Sequence, residues 1–395
     1  MGEPLERRFL IVAGEPSGDL HAARLAGELA RLGPCRVAGV TGPALERAGA
    51  GRIVAMDELA VIGFSAVLPR LPRIWSAYRR LLGAFDSLKP AACVLVDSPG
   101  FNFRLGPALK RRGARVFYYI APQVWAWHAE RAAQMARWVD RLAVVFPFEE
   151  KIVRDAGVDA RFVGHPLLDE LAPEVDETAW RTELRIPHGA RVVGLLPGSR
   201  AEERRRHTGV MLRAAHALSR RRPDLAFVLA LPPRGPGGPA ADPDAEARAW
   251  CARTSLPAPG GEWRVVAARG RTRATQAFAT CCAVASGTAT LETALFGTPL
   301  VVVYRVSSLN YEIARRVIRL ERIGLPNIVA GEDVAPELIQ RDFTPEALES
   351  ALARLLDDSA ALAAARARLA RVREKLGGPG ASARAAALLW ELAAS

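Results

Sequence analysis

The sequence is poor in cysteine, in lysine and in long apolar runs, and each shortage excludes a class of protein. Its 395 residues include five cysteines with no C-x-x-C spacing, which argues against a disulfide framework and against the usual zinc sites. Its apolar runs are far shorter than the roughly 18 residues of a membrane-spanning helix. The N-terminus lacks the long apolar segment and cleavage site of a signal peptide. We therefore expect a cytoplasmic protein with reduced cysteines.

Two common nucleotide-binding signatures are also missing. The sequence contains neither the P-loop pattern Gly-x4-Gly-Lys-Ser/Thr nor the dinucleotide pattern Gly-x-Gly-x-x-Gly, which argues against an ATPase and against an NAD-dependent enzyme. No Asp-x-Asp pair stands out as a magnesium site. Half of the residues are hydrophobic and 24% are charged, so the chain is globular and long enough for two cores.

The charge is strongly positive. Lys and Arg number 54 against 42 Asp and Glu, a formal net charge of +12, and only four of the basic residues are lysines. Such a surplus predicts an anionic partner. Nucleic acid, an anionic membrane surface and phosphorylated small molecules all fit, and charge alone does not choose among them.

Short apolar runs alternate with helical patterns, which predicts βα units that feed parallel sheets. Runs such as Phe9–Ala13, Ala92–Val96 and Cys281–Ala285 are typical of buried strands. A loose stretch over 169–189 interrupts the alternation, and the sequence after Thr344 predicts helices. We therefore expect an N-terminal domain over residues 1–170, a second over 185–344, and C-terminal helices over 345–395 that pack back on the first. Two such open α/β domains would bind ligands in a cleft at the carboxyl ends of their strands.

One turn of the second domain is suited to an anion. Residues Leu195–Arg200 (LLPGSR) run from a strand into a helix, where Gly198 allows close approach of the backbone. Free N–H groups at Ser199 and the helix start, together with the Arg200 guanidinium, would hold a diphosphate. An ordinary βα turn with a surface arginine explains this segment equally well.

A second turn of the same kind favours a nucleotide. Ser286, Gly287 and Thr288 again follow an apolar strand and open a helix, offering hydroxyls to a phosphate. Glu292, one turn into that helix, is placed to accept hydrogen bonds from ribose hydroxyls. Two such turns on one sheet predict a nucleotide site.

Two turns of the first domain are candidates for the other substrate. Glu15, Ser17, Gly18 and Asp19 follow the first strand, either as a substrate-facing loop or as a helix cap only. Asp97 ends another hydrophobic strand, where a carboxylate is well placed to act as a general base. The alternative is an Asx turn ahead of Pro99.

These segments, with several others, carry a resemblance to the lipid-A-disaccharide synthase family, glycosyltransferases of the GT-B fold. The match runs over nearly the whole chain, and the order of nine weak motifs makes it specific. They are Gly14–Asp19 (GEPSGD), Asp97–Asn102 (DSPGFN), Pro122–Trp127 (PQVWAW), Phe146–Glu149 (FPFE), Phe162–Pro166 (FVGHP), Leu196–Arg200 (LPGSR), Ser286–Glu292 (SGTATLE), Tyr304–Arg305 (YR) and Leu325–Gly331 (LPNIVAG).

The resemblance implies an activity. A member of this family joins UDP-2,3-diacylglucosamine to 2,3-diacylglucosamine 1-phosphate and releases UDP, a step in the lipopolysaccharide synthesis of Gram-negative bacteria. It also implies the GT-B fold, in which two Rossmann-like, doubly wound domains face a central cleft and the C-terminus is helical. We expect no cofactor and no metal, since the UDP-sugar is a substrate and arginine with a helix terminus can neutralise the leaving group.

The residues of the motifs receive roles from this resemblance. Asp97 would take the proton of the acceptor's 6-hydroxyl during an inverting displacement. Arg200, with the backbone at Gly198 and Ser199, would stabilise the leaving diphosphate. The nucleotide site would also include Ser286, Gly287, Thr288, Glu292 and Asn327, and the acceptor loop Glu15, Ser17, Gly18, Asp19 and Asn102.

Both substrates would carry acyl chains, so an apolar surface near the inner face of the inner membrane is expected, and an oligomer is possible. The stretch from Ile62 to Leu82 supplies aromatic, aliphatic and basic residues that suit an anionic interface, or else a core helix with solvated arginines. The candidates are Phe64, Val67, Leu68, Arg70, Leu71, Arg73 and Trp75.

Two other functions fit parts of the sequence. A UDP-N-acetylglucosamine 2-epimerase would bind the same nucleotide but needs no acyl-binding surface, so the apolar stretch argues against it. A basic nucleic-acid-binding protein would explain the charge. Its signature, aromatic residues interleaved with basic ones along a sheet or recognition helix, is absent apart from that one stretch. We therefore expect no nucleic-acid partner.

Overall fold

The structure is a computed structural model that describes residues 6–59, 71–122, 129–233, 242–261, 263–307 and 321–395. The chain divides into two compact units. One contains the chain up to Asp169 together with Leu376–Ser395, and the other contains Glu170–Lys375. The prediction of two parallel-sheet α/β domains with a helical C-terminus is confirmed.

The first unit is built on seven parallel strands in the order β3-β2-β1-β4-β5-β6-β7. Their central members are buried over their whole length, as expected for a sheet covered on both faces. The strands are β1 Arg7–Ala13, β2 Cys35–Thr41, β3 Gly51–Ala55, β4 Ala92–Val96, β5 Val116–Tyr119, β6 Arg141–Val144 and β7 Ala160–Phe162.

The helices of this part of the chain connect these strands, except the last, which follows β7. Four of them begin at a proline, which fits the first helical position because proline has no N–H to leave unpaired there. The helices are α1 Pro16–Leu32, α2 Pro43–Arg47, α3 Leu71–Leu88, α4 Pro99–Arg111, α5 Ala129–Met135, α6 Pro147–Asp155 and α7 Leu167–Glu170, with a 3₁₀ turn at Met56–Glu58.

The second unit has six parallel strands in the order β10-β9-β8-β11-β12-β13. The strands are β8 Arg191–Leu196, β9 Leu225–Leu231, β10 Val265–Arg269, β11 Cys281–Ala285, β12 Leu300–Tyr304 and β13 Glu337–Ile339. The remaining helices are α8 Glu177–Glu183, α9 Ala201–Ser219, α10 Pro243–Arg253, α11 Thr272–Phe278, α12 Thr288–Leu295, α13 Leu325–Ala330, α14 Pro345–Asp357, α15 Ser359–Lys375 and α16 Ala381–Ala394.

The structure divides the C-terminal helices differently from the expectation that residues 345–395 all pack on the first domain. Helices α14 and α15 belong to the second unit, because Leu348 and Leu352 enter its core. Helix α16 belongs to the first unit. There Arg7 donates a hydrogen bond to the Trp390 carbonyl (2.7 Å) and stacks its guanidinium on the indole. A Cβ at Gly33 would collide with the same ring.

Each sheet has one position where the strand order reverses. In the first unit it lies between β1 and β4, and in the second between β8 and β11. Loops that leave neighbouring strands in opposite directions open a crevice at such a position, where α/β proteins bind their ligands. None of the helices in the described ranges combines the length and apolarity that a membrane span requires.

Candidate functional site

The turn after β4 carries Asp97 in a strained conformation. Asp97 and Ser98 both have a φ of 44°, in the left-handed region that residues other than glycine rarely adopt. Buried side chains hold this turn in place. Tyr118 donates its hydroxyl to the Asp97 carbonyl (2.5 Å), and Asn102 donates its side-chain amide to the same carbonyl (2.7 Å). Strain retained at a strand end makes this position a candidate for a functional role.

The Asp97 carboxyl group has an unusual acidity. Its pKa is raised from 3.8 to about 6, mainly by burial and to a smaller extent by the nearby Glu15 carboxylate. A hydrogen bond from the Ser98 backbone N–H and the charge of His21 act in the opposite direction. A carboxyl group with a pKa close to neutrality suits proton transfer, because it is ionised at neutral pH and still basic.

The loop after β1 lies beside this turn. β1 pairs with β4, and a Cβ at Gly14 would lie 2.8 Å from the Ser98 hydroxyl, so any larger residue would displace the Ser98 side chain. Glu15 and Ser17 are exposed, and the helix already begins at Pro16, so Ser17, Gly18 and Asp19 lie in its first turn.

Two of the predicted acceptor residues bond to the backbone. Asp19 is 3% exposed and accepts hydrogen bonds from the N–H groups of Gly42 (2.8 Å), Ala44 (2.8 Å) and Leu45 (3.2 Å), so it caps α2. Asn102 is fully buried and holds the Asp97 turn. Glu15 and Ser17 are the members of this group whose side chains are open to solvent.

The turn after β8 places Gly198, Ser199 and Arg200 at the start of α9. Gly198 has a φ of 111°, and a Cβ there would collide with the Glu203 carboxylate. Glu203 accepts a hydrogen bond from the Arg200 N–H (3.1 Å), as in a capping box. The Arg200 side chain is 81% exposed, with its guanidinium 3.5 Å from Glu203. Arg200 thus projects from the end of β8 into solvent.

The turn after β11 lies next to it in the sheet. Ser286 donates its hydroxyl to the Ile323 carbonyl (3.0 Å), while Gly287 and Thr288 are exposed at the start of α12. Glu292 is half-buried, with Arg273 at 3.5 Å. Burial raises the pKa of Glu292, and Arg273 opposes that rise. Both predicted phosphate turns therefore lie at the strand-order reversal of the second unit.

The side chain of Asn327 forms hydrogen bonds within its own loop. Its amide nitrogen donates to the Ala335 carbonyl (2.8 Å) and to Glu337 (2.7 Å). Its oxygen accepts from the N–H groups of Val334 and Ala335 (2.9 Å each). These four bonds satisfy the whole side chain, so Asn327 shapes the loop beside the Ser286 turn and its amide has no capacity left for a ligand.

Three side chains around these turns escaped sequence reasoning. Glu337 accepts from the N–H groups of Ile323 and Gly324 (2.9 Å each) and so holds the start of α13. Tyr118 supports Asp97, and His207 contacts the Pro197 carbonyl. No motif marks the first two, whereas His207 lies four residues after Glu203 and shares its helix face.

The described part of the expected acyl-binding stretch is an amphipathic helix. On α3, Leu71 is 49% and Trp75 is 61% exposed, while Ala77 and Leu81 are fully buried. The Trp75 ring stacks on Tyr78 with centroids 5.3 Å apart. Arg73 is exposed on the same helix. The remaining candidates lie outside the described residues: Phe64, Val67, Leu68 and Arg70.

The charges of this arrangement suit an anionic ligand in the second unit and a proton transfer in the first. Among the side chains that the structure describes, no group of three His, Cys, Asp or Glu residues is arranged to hold a metal ion.

Comparison with known proteins gives one consistent family. The model of the lipid-A-disaccharide synthetase family matches residues 9–390. The lipid-A-disaccharide synthase of Geobacter metallireducens is 41% identical over 393 residues, 99% of each chain. That of Anaeromyxobacter dehalogenans is 42% identical over 383 residues, covering 97% of this chain and 96% of the other.

Solved structures add the fold. The UDP-GlcNAc 2-epimerase of Neisseria meningitidis bound to UDP-GlcNAc is 12% identical with a TM-score of 0.64, over 97% of this chain and all of the other. The glycotransferase of kitacinnamycin is 17% identical with a TM-score of 0.63, over 98% of this chain and all of the other. At such identities the likeness concerns the fold alone.

Proposed function

Because the chain belongs to the lipid-A-disaccharide synthase family, which makes it a glycosyltransferase, we propose that it transfers 2,3-diacylglucosamine from UDP to 2,3-diacylglucosamine 1-phosphate. The products would be the lipid A disaccharide 1-phosphate and UDP. The observation that carries the proposal is the match over residues 9–390, together with relatives about 40% identical over their whole length.

The first unit would supply the base. The Asp97 carboxylate accepts the proton of the acceptor's 6-hydroxyl as that oxygen attacks the anomeric carbon of the donor. The bond from this carbon to the UDP oxygen breaks in the same step, so configuration inverts. The pKa of about 6 supports this role because such a carboxylate is a stronger base than an ordinary one and is still ionised at neutral pH, and the strained turn fixes its orientation.

The second unit would bind the donor nucleotide. The exposed Arg200 guanidinium and the backbone of Gly198 and Ser199 stabilise the negative charge that develops on the leaving diphosphate. The turn at Ser286–Thr288 lines the phosphates, and Glu292 accepts hydrogen bonds from the ribose. Asn327 contributes by holding its loop, since its amide is already occupied. We propose that no metal takes part, because arginine and helix N–H groups supply the positive charge.

The acylated substrates would be reached at the cytoplasmic face of the inner membrane. Exposed Trp75 and Leu71 with Arg73 on α3 support a peripheral contact, because an aromatic and a basic residue together suit an anionic headgroup region. Such a contact would place the acyl chains of both substrates close to the enzyme.

The epimerase alternative has the weaker support. The likeness to epimerases rests on 12–14% identity and concerns the fold. The synthases match at 37–42% identity over nearly the whole chain. The same match disfavours a nucleic-acid-binding function for the positive charge.

The test measures UDP release from UDP-2,3-diacylglucosamine with and without the 1-phosphate acceptor. The proposal expects release that depends on acceptor, forms the disaccharide and persists in a metal chelator. Asp155→Asn is the matched control for Asp97→Asn, since Asp155 is an exposed aspartate of the same unit that pairs with Lys151. Acceptor-independent release, or a 2-epimerised sugar as product, would overturn the proposal.

A further inference from the structure

His207 occupies a buried position beneath the Arg200 turn. It is 0% exposed in the second turn of α9. Its Nδ1 lies 2.8 Å from the Pro197 carbonyl oxygen, directly before Gly198. Its Nε2 lies 3.0 Å from the backbone nitrogen and 3.1 Å from the carbonyl oxygen of Arg305, which follows β12. The aromatic rings of Tyr304 and Phe343 pack against the imidazole, with centroids 5.9 and 5.7 Å away.

These contacts show which nitrogen of the His207 ring carries a proton. The Pro197 carbonyl can only accept, so Nδ1 carries the proton and donates it. In the neutral ring Nε2 then carries no proton and accepts from the Arg305 N–H, whereas in the protonated ring it donates to the Arg305 carbonyl. Burial lowers the pKa of His207 and so favours the neutral ring, although the contacts with the Pro197 and Arg305 carbonyls oppose that effect. In either protonation state Nδ1 donates to the Pro197 carbonyl, and both ring nitrogens have a partner.

The two hydrogen bonds of the ring connect the ends of two strands of the sheet. The strand order places β11 between β8 and β12. His207 joins the turn after β8 to the end of β12, so it fastens together the two neighbours of the strand that carries the Ser286 turn. This one side chain thereby fixes the position of the Gly198–Arg200 turn relative to β12, the strand next to the one that carries the Ser286 turn.

We propose that His207 is a positioning residue for the donor: its Nδ1–H bond to the Pro197 carbonyl holds the Gly198–Arg200 turn in the conformation that binds the UDP diphosphate. This inference rests on the proposed function, because it assigns UDP to that turn. His207 touches no reacting atom and acts only through the turn.

Two substitutions of His207 remove its two hydrogen bonds one at a time. In His207→Asn the amide nitrogen falls near the position of Nδ1 and can still donate to Pro197, but the bond to Arg305 is lost. In His207→Gln the amide reaches the position of Nε2 and can accept from Arg305, but the bond to Pro197 is lost. His216→Gln is the matched control, because His216 lies on the same helix with its ring against Trp263.

The experiment measures the Kd of UDP by calorimetry, and the KM of donor and acceptor separately. We expect His207→Gln to weaken UDP and to raise the donor KM by about tenfold, the effect of one buried hydrogen bond, with the acceptor KM unchanged. His207→Asn should stay within about threefold of wild type, and His216→Gln should match wild type. The thermal unfolding of each variant is recorded alongside.

The outcomes distinguish the inference from the proposed function. If His207→Asn and His207→Gln lose stability alike while the Kd of UDP stays unchanged, the residue is only structural and the inference is wrong. If both variants weaken UDP equally, the bond to Pro197 is not the one that matters, and the inference is wrong as well. A wild-type protein that binds no UDP would overturn the proposed function and this inference together.

Discussion

Replacing Asp97 by Asn tests the base and the origin of its pKa in one variant. Asparagine has nearly the same shape, and its oxygen can still accept from the Ser98 N–H, so the strained turn is preserved. The variant loses the negative charge and with it the ability to take a proton. General-base catalysis contributes roughly 10²–10⁴-fold, so kcat/KM for the acceptor should fall at least about a hundredfold.

The same substitution should stabilise the protein. A rise in pKa from 3.8 to about 6 means that the folded state resists ionisation of Asp97, at a cost of about 3 kcal/mol at 1.36 kcal/mol per pH unit. Because the folded state binds this proton more tightly than the unfolded state, stability is lost as pH rises from about 4 to about 6. Asp97→Asn has no such loss. Its advantage over wild type should be near zero at about pH 4 and should level off at up to about 3 kcal/mol above about pH 7.

Two assays check this reasoning. Urea unfolding of wild type and variant from about pH 4 to about pH 8 gives the stability difference, with Asp155→Asn as the control for the same substitution at an exposed position. The pH dependence of wild-type kcat/KM should show an acid limb near pH 6. A stability difference that does not change with pH would refute the assigned pKa, and wild-type activity in Asp97→Asn would remove Asp97 from the mechanism.

Three further predictions concern neighbours of the reactive groups. Glu15→Gln removes a negative charge that raises the pKa of Asp97, so the acid limb of the kcat/KM profile should move to lower pH; an unmoved limb would contradict the coupling. Gly198→Ala forces a side chain into a φ of 111° and into the Glu203 carboxylate, so calorimetry should show UDP binding about tenfold weaker or more, and unchanged affinity would contradict the geometry. Asp19→Ala leaves the N–H groups at the start of α2 without their acceptor, so urea unfolding should show a loss of about 2–4 kcal/mol; a loss under about 0.5 kcal/mol would refute the cap.

Most of the fold was predictable because its strands are continuous apolar runs. The buried strands Ala92–Val96 and Cys281–Ala285 have the predicted bounds. The strands Gly51–Ala55 and Glu337–Ile339 were not predicted, since each is short, lies at the edge of its sheet and is incompletely buried. Edge strands receive little of the burial that makes a strand visible as an apolar run.

The positions of the turns were more predictable than the tasks of their side chains. Asp97, Arg200 and Ser286 follow strands in the sequence, so their location at strand ends could be derived from the pattern of elements. The roles of Asp19 and Asn327 could not, because their hydrogen-bond partners are backbone groups of loops whose course the sequence does not reveal. A polar residue in a motif can bind a ligand or hold the loop that does, and only the partners of its atoms decide which.

The two units solve the same positioning problem in the same way. In each unit, a turn at the strand-order reversal carries an ionisable side chain, Asp97 or Arg200. A buried side chain of the helix that follows donates a hydrogen bond to a carbonyl of that turn. Asn102 on α4 donates to the Asp97 carbonyl, and His207 on α9 donates to the Pro197 carbonyl. A hydrogen bond from its own helix fixes the turn relative to that helix, so a buried residue that never meets the substrate can control the orientation of the reactive group. Substitutions at Asn102 and His207 should therefore act on different substrates, the acceptor for Asn102 and the donor for His207, and this difference would separate positioning from a general loss of stability.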